Sequence, residues 1–298
     1  MNEHTKAVLQ AFFVTLLWAM SWVLIKVGLQ DMPALTFAGL RYFLAFLCLL
    51  PLAARRGELT APRTLPRAAW GQLLLLGFVY YTVTQGAQFV ALSLLPAIPT
   101  SLVLSFTPIV VALLAGLLLR ERTTLWQWLG IAITVAGALL YFWPVNIPAG
   151  QVVGLIIIFV GMFANVISAL MGRALNRARL LPPLSITLVS MGFGATLLLV
   201  AGVWVQGMPA FTWRGWLIII WLAVIHTAFA FTLWNHTLRT LPAVESSIIN
   251  NTLVIQIPAL AVIFLGETMN ARQVGGLLAV VVGTLIVQLR RHPQATRS

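Results

Sequence analysis

Acidic residues are scarce in this chain of 298 residues, which has six Asp and Glu against 18 Lys and Arg. None of the six lies in the middle of a long apolar run. A proton-coupled exporter of organic cations needs a buried carboxylate, so this scarcity argues against hydrophobic cations as substrates. The single cysteine, Cys48, excludes an intrachain disulfide, and its place inside an apolar run indicates a packing role.

The motifs of enzymes and of ATP-driven pumps are also missing. The sequence has no paired carboxylates, no Gly-Lys phosphate loop and no nucleophile–base arrangement. His226 and His236 lie ten residues apart, which is about 15 Å along a helix, too far to share a metal. We therefore expect no catalytic residues, no metal and no cofactor.

Apolar residues, in contrast, are abundant: 60% of the chain is hydrophobic and 8% is charged. Soluble domains carry about 25% charged residues. Long apolar runs recur along the whole sequence, each long enough to cross about 30 Å of hydrocarbon. These runs predict ten transmembrane spans, which begin near Ala7, Thr36, Trp70, Ile98, Thr124, Val152, Ser185, Gly215, Val244 and Arg272 and end near Leu29, Ala54, Leu92, Leu119, Tyr141, Leu175, Val205, Leu238, Leu265 and Leu289.

The basic residues predict the orientation of the spans. Cytoplasmic loops retain Lys and Arg, and 14 of the 18 basic residues fall at the termini and in alternate loops on one side. The other side has only Arg214 and Arg272, while Lys26 and Arg41 fall inside spans. Both termini are therefore predicted to be cytoplasmic, in a multi-pass protein of the bacterial inner membrane.

An internal repeat divides the chain into two halves. A shift of 146 residues aligns residues 91–140 with 237–286 without a gap, with 15 identities in 50 positions. Glu121 then falls on Glu267, Gly130 on Gly276 and Gly137 on Gly283. We interpret residues 1–145 as the first five-helix repeat, 150–290 as the second and 291–298 as a cytoplasmic tail. Because five is odd, the second repeat must be inverted, as in many secondary transporters, whose substrate site lies at the repeat interface.

These features resemble the drug/metabolite transporter superfamily and its EamA-type exporters. The resemblance rests on Glu121-Arg122 and Glu267-Thr268 at the ends of spans 4 and 9, on the paired glycines that follow, and on Trp18, Ser21, Arg41 and Pro108. The second half departs from the pattern, because Pro258 lies only nine residues before Glu267, whereas Pro108 lies thirteen before Glu121. Within the superfamily the chain looks most like the YddG-type exporters of aromatic and other amino acids.

The resemblance implies a basket of ten helices around a central cavity. Spans 1, 3, 4, 6, 8 and 9 are then expected to line the cavity, with spans 5 and 10 at the periphery.

Polar residues inside the spans mark the candidate interior face, because polar groups are costly in hydrocarbon unless they face the bundle or pair. Trp18, Ser21 and Trp22 share one stripe of span 1 at helical spacing, and Asn165 and Ser168 do so on span 6. A shift of 147 residues superposes the two stripes. The alternative is tight helix packing through small residues.

Other spans add further candidates for substrate binding: Tyr81, Gln85 and Gln88 in span 3, Ser101 in span 4, His226 and Trp234 in span 8, and Asn250 and Asn251 in span 9. Two adjacent carboxamides cannot both bond their own helix backbone, so at least one of Asn250 and Asn251 should face a partner or a cavity. Hydrogen-bonded packing of His226 and an interface position of Trp234 remain alternatives.

Four further positions have predicted structural roles. Pro108 and Pro258 interrupt spans 4 and 9, where a missing amide hydrogen permits a bend, and we predict hinges there; packing alone is the alternative. Lys26 lies near one end of its span and is expected to extend to water. Arg41 lies deeper and is interpreted as a structural tether, with carboxylate recognition as the alternative.

Amides, hydroxyls and aromatic rings suit a ligand with a small polar head and an apolar body. The sequence therefore predicts a transporter that exports amino acids, aromatic and other apolar ones in particular, or similar small metabolites, by alternating access. Export of other amphipathic metabolites or drugs, or lipid scrambling, are the alternatives. The expected partners are a small-molecule substrate and membrane lipid, with no nucleic acid and a monomeric chain.

Overall fold

Ten predicted crossings appear as helices in the computed structural model, which describes residues 2–58, 65–119, 124–144, 148–178, 180–209 and 212–289. These residues contain no strand, and nine of their helices are long and apolar enough to cross a membrane. The remaining crossing contains a shorter apolar helix over Ala97–Val111. The all-helical membrane fold is confirmed, and the predicted tail at 291–298 lies outside the described residues.

The helices divide equally between the halves. The first half comprises α1 (Glu3–Gly28), α2 (Ala34–Arg55), α3 (Arg67–Leu94), α4 (Ala97–Leu104 and Thr107–Leu119) and α5 (Leu125–Phe142). The second comprises α6 (Ala149–Ala178), α7 (Pro183–Gln206), α8 (Trp213–Ala223, Val224–Phe229 and Ala230–Thr237), α9 (Ala243–Asn251 and Leu253–Leu265) and α10 (Ala271–Leu289).

Each half contributes one partner to the principal helix pairs. Helix α2 packs against α7, α5 against α10, α3 against α6 and α1 against α8. The α5–α10 pair approaches at backbone distance through the glycines that the repeat equates: a Cβ on Gly137 would lie 2.7 Å from the Gly276 carbonyl oxygen, and one on Gly130 2.7 Å from that of Gly283. Small residues allow such close contact between membrane helices.

Helices α3 and α8 each contain a π-helical segment, over Phe78–Thr84 and Val224–Phe229. The two segments begin 146 residues apart, at equivalent positions of the repeat. In each segment a threonine hydroxyl donates to the carbonyl five residues earlier, Thr84 to Val79 (3.0 Å) and Thr227 to Leu222 (2.9 Å). Such segments often mark functional positions in a helix.

Candidate functional site

A buried arginine lies in the interior of the bundle. Arg41 of α2 is only 4% exposed, and its Nε donates to the Thr227 hydroxyl at 3.1 Å. Its Cζ lies 5.1 Å from the ring centroid of Tyr42 and 5.9 Å from that of Phe89, distances typical of cation–π contacts. Helices α2, α3 and α8 thus meet at one guanidinium.

The π segment of α8 positions the acceptor for this arginine. Because the Thr227 hydroxyl gives its own hydrogen to Leu222, its oxygen is left to accept from Arg41. Because Thr227 donates to Leu222 and accepts from Arg41, this pair of hydrogen bonds fixes the orientation of the guanidinium.

Two predicted residues of α3, Tyr81 and Gln85, join this cluster. The Tyr42 hydroxyl donates to Gln85 Oε1 at 2.6 Å, and the Tyr42 and Tyr81 ring centroids lie 5.6 Å apart. Tyr80 contacts Tyr81 edge-on at 4.8 Å. The third predicted residue of α3, Gln88, is half-buried.

His226 precedes Thr227 and joins α8 to α1. Its ring Nδ1 lies 2.6 Å from the Leu17 carbonyl oxygen, and the residue is 1% exposed. Since a carbonyl oxygen only accepts, Nδ1 carries the hydrogen of this bond. The Leu17 carbonyl oxygen is therefore the hydrogen-bond partner that the packing alternative for His226 requires.

The predicted aromatic residues separate into two environments. Trp18 and Trp234 pack together at 5.2 Å, with Phe231 5.5 Å from Trp18. Trp22 is 8% exposed and belongs to the main apolar core. The Trp18–Trp234 contact again joins α1 to α8.

Three predicted hydroxyls donate within their own helices. Ser21 donates to the Trp18 carbonyl, Ser101 to Ile98 and Ser168 to Asn165, at 2.6 to 2.8 Å. Serine in a helix commonly makes such bonds. The structure thus brings these serines into the interior without directing their hydroxyl hydrogens to a neighbouring helix.

The predicted amides lie beside breaks in α4 and α9. Asn165 of α6 donates to the Thr107 hydroxyl at 3.3 Å, where the second segment of α4 begins. Asn251, the last residue of the first segment of α9, is 6% exposed, and its Nδ2 has no hydrogen-bond partner among the described residues. Asn250 is exposed, so Asn251 is the interior member of the pair.

Near the α9 break, a small polar group joins α9 to α1. Gln256 donates through Nε2 to the Thr15 hydroxyl at 3.2 Å, while its buried Oε1 has no partner in the described part of the chain. The Thr15 and Thr252 hydroxyls lie 3.4 Å apart. An unpaired amide donor and an unpaired amide acceptor therefore lie in the same helix, on either side of its break.

The two breaks fall at equivalent positions but have different causes. In α4 the turn at Ser105 and Phe106 precedes Pro108, whose ring is incompatible with a continuous helical bond to Leu104. In α9 the break is at Thr252, whose hydroxyl donates to the Ile249 carbonyl at 2.6 Å. Pro258 lies six residues further on, inside the second segment of α9.

One end of the bundle, predicted to be external, is held by two opposite charges. The Lys26 amino group donates to the Leu92 and Leu95 carbonyls, each at 2.6 Å, at the end of α3. The Glu267 carboxylate accepts from the backbone amides of Ala97 and Ile98, the latter at 3.0 Å, at the start of α4. We call this arrangement the α3–α4 clamp. Lys26 therefore binds helix carbonyls instead of extending to water, because the unpaired carbonyls at a helix C-terminus attract a cation.

A cavity of about 450 Å³ lies next to the clamp. Residues from α4, α5, α6, α10 and the connecting loops line it, including Pro96, Tyr141, Gln151, Glu267 and Arg272. None of the predicted substrate-binding residues lines this cavity. Those residues lie mainly in the bundle interior, along the contacts of α1 with α8 and α9 and of α2 with α3.

Three members of the Arg41 cluster were not among the candidates predicted from the sequence: Tyr42, Phe89 and Thr227. Tyr42 and Phe89 are common core residue types with no distinctive spacing, and Thr227 was overlooked beside His226. The deep position of Arg41 was the available signal, since an ionisable residue inside a span points to a functional site with a partner.

The fold and the repeat have counterparts in known proteins. The EamA-like transporter family matches the chain over residues 5–143 and again over 150–289. The chain belongs to this family. As an EamA-like protein it is a multi-pass membrane transporter, and the two matched segments correspond to the two five-helix halves.

Individual relatives are similar to the chain over almost their whole length. The transporter YoaV of Bacillus subtilis (strain 168) is 26% identical, over 95% of this chain and 94% of its own. The inner membrane transporter YedA of Escherichia coli (strain K12) is 25% identical, over 94% and 90%. These names describe transporters and give no substrate.

A solved crystal structure superposes with a TM-score of 0.67 at 18% sequence identity, over 95% of this chain and 98% of that chain. The likeness shows a shared fold.

Proposed function

We propose that this EamA-like protein exports amino acids, with aromatic and other apolar side chains favoured, by alternating access. The observation that carries the proposal is the polar cluster buried where the two halves meet: Arg41 and Gln85 from the first half, and Thr227 from the second. Polar groups in a bilayer core are costly, and they commonly mark substrate pathways. The rings of Tyr42 and Phe89, which are buried in the apolar core, contact the guanidinium from the side of the protein and help to hold it in place.

The broken helices support alternating access. Discontinuous helices at equivalent positions of inverted repeats are typical of secondary transporters, where they form the midplane site. Here α4 and α9 both break, and Asn251 at the second break has an unpaired amide. Pro108 directly follows the first break and is the better placed of the two proposed hinges; Pro258 lies within a helical segment.

The α3–α4 clamp supports a gate at the end predicted to be external. Lys26 and Glu267 hold the end of α3 and the start of α4, which border the cavity. The repeat assigns Arg173 and Glu121 as their counterparts at the opposite end; Glu121 lies outside the described residues. We expect the two ends to be held in alternation during a transport cycle.

Flux through proteoliposomes tests the proposal. The purified protein is reconstituted, and uptake of labelled phenylalanine, leucine, methionine and tryptophan is compared with empty vesicles. We expect flux for at least one of them, and roughly tenfold less flux for Gln85→Leu, since losing one hydrogen bond to the substrate, worth about 1.4 kcal/mol, lowers its affinity tenfold. Ser93→Ala is the matched control on the same helix, because the exposed Ser93 hydroxyl donates only to Val90 of its own helix.

Absence of flux above empty vesicles for every amino acid would refute the amino acid assignment. The same vesicles, loaded with a fluorescent phospholipid, report lipid scrambling, which would assign the polar interior to lipid headgroups.

A further inference from the structure

We propose that Arg41 binds the carboxylate of the transported substrate, so that the carboxylate, and not the amino group, is what this transporter requires. The inference rests on the proposed transport function and names the chemical class that the buried cluster selects.

The guanidinium has donors that the protein leaves unused. A guanidinium carries five N–H groups. Only Nε has an acceptor within hydrogen-bond distance among the described residues, the Thr227 hydroxyl. The two terminal nitrogens, which form the fork of the side chain, have no acceptor in that part of the chain, although the residue is 96% buried (4% exposed). The fully enclosed side-chain atoms without a partner among the described residues are Asn251 Nδ2 and Gln256 Oε1, so the terminal nitrogens of Arg41 keep some accessible surface.

The charge of Arg41 also has no counter-ion in the described part of the chain. The ion pairs recorded there are His4 with Glu245 and Asp31 with Arg214, and Glu267 accepts from the start of α4. The aromatic faces of Tyr42 and Phe89 offset part of the cost of a buried cation. A carboxylate supplies what is missing, because its two oxygens match the two-pronged guanidinium in geometry and charge.

The neighbours of Arg41 agree with a carboxylate ligand. Gln85 accepts from Tyr42 through Oε1 and also makes a side-chain hydrogen bond with Tyr80; its amino group carries two hydrogens, so one remains as a further donor. Tyr81 packs on Tyr42, so aromatic surface lies beside these donors. An amine without a carboxylate is a cation at neutral pH. The positive charge of Arg41, which has no paired acid in the described part of the chain, repels such cations.

A purely structural role is the competing explanation, since Arg41 joins α2 to α8 through Thr227. The two roles predict different behaviour toward ligands. A tether supports the fold and has no preference between a carboxylate and the corresponding amide. A carboxylate site distinguishes them, and the distinction depends on the guanidinium.

Ligand-induced thermal stabilisation of the purified protein in detergent measures this preference. The probes are L-phenylalanine, 3-phenylpropanoate and their amides, titrated to give apparent dissociation constants. Of the amides, 3-phenylpropanamide is neutral, whereas L-phenylalaninamide keeps a protonatable amine, so the 3-phenylpropanoate pair isolates the carboxylate. We expect the wild-type protein to bind both carboxylates roughly 10- to 100-fold more tightly than the amides, as for a hydrogen-bonded charge pair. Binding of 3-phenylpropanoate would show that the amino group is dispensable.

Three variants separate the explanations. Arg41→Gln should abolish the preference for the carboxylate over the amide. Arg41→Lys keeps the charge but loses the fork, so the preference should shrink without vanishing; this variant also serves if Arg41→Gln does not fold. Thr227→Val removes the hydrogen bond that orients the guanidinium but keeps the charge, so it should lower the thermal stability and reduce the preference less than Arg41→Gln does.

The outcomes also distinguish this inference from the proposed function. A wild-type preference that persists in Arg41→Gln or is unchanged in Arg41→Lys overturns the carboxylate site, and so does wild-type protein that binds no carboxylate of the panel. If 3-phenylpropanoate binds in an Arg41-dependent manner while no amino acid is transported, the carboxylate site stands and amino acid export is refuted.

Discussion

Two adjacent glycines of α10 provide a sharp test of the α5–α10 interface. A Cβ on Gly276 would lie 2.6 Å from the Gly137 carbonyl oxygen and 2.7 Å from the Tyr141 amide nitrogen. A Cβ on Gly275 would have Leu140 Cδ2 as its nearest neighbour, at 4.0 Å. The same substitution, glycine to alanine, is therefore blocked by backbone at one position and accommodated at the next.

The magnitude follows from the distances. Carbon–oxygen contacts are comfortable from about 3.3 Å, so Gly276→Ala requires the two helices to separate by roughly 0.7 Å. Overpacking of this kind costs about 1–3 kcal/mol. Replacing glycine by alanine inside a helix contributes about 0.5–1 kcal/mol of stability in both variants. Because that contribution is shared, the difference between the variants isolates the packing cost, about 1–3 kcal/mol.

Thermal unfolding in detergent, followed by fluorescence-detected size exclusion, measures the difference. We expect Gly275→Ala to unfold at or slightly above the wild-type temperature, and Gly276→Ala several degrees below it. Equal unfolding temperatures for the two variants would show that α5 and α10 do not approach at backbone distance, and the proposed pairing of the repeat glycines would be refuted.

Two further predictions concern the α3–α4 clamp. Lys26→Met removes both hydrogen bonds to the end of α3, and should lower the unfolding free energy by about 1–3 kcal/mol. Lys26→Arg should retain most of the wild-type stability. Equal unfolding temperatures for Lys26→Met and wild type would refute the clamp. Glu267→Gln keeps one acceptor oxygen for the start of α4 but loses the charge, and should lower the unfolding free energy by about 0.5–2 kcal/mol. If the carboxylate acts locally through these amides, high salt should not restore the lost stability.

The fold was largely predictable because a bilayer leaves few choices. Apolar runs of sufficient length must be helices, and an odd number of crossings in each repeat requires inversion. The predicted spans accordingly coincide with the ten helical crossings of the described chain to within a few residues at most boundaries. The four glycines of the sequence repeat also lie at the α5–α10 interface, where Gly130 contacts Gly283 and Gly137 contacts Gly276.

The site was less predictable, since helical spacing shows which residues share a face but not which helix that face meets. Tyr81 and Gln85 lie in the Arg41 cluster as part of the predicted interior. The partners of Arg41 come from helices far apart in sequence, and its neighbour Thr227 is 186 residues away. Lys26 was expected in water because periodicity gives no sign that the end of another helix lies within reach of its amino group.

The irregular backbone of the halves is a property of the repeat. Both π-helical segments begin at equivalent positions, and so do both breaks, although the residues that produce the breaks differ: Pro108 follows one, and Thr252, bonded back to Ile249, forms the other. A proline at one break and a threonine at the other interrupt the helix at equivalent positions, which indicates that the break itself is needed in both halves. Since the first π segment adjoins Gln85 and the second contains Thr227, the departures from regular helix direct the groups that surround Arg41. In hydrocarbon a regular helix keeps its backbone groups for itself, so departures from regular helix are tolerated mainly where the protein interior surrounds them, as it does at Thr84 and Thr227.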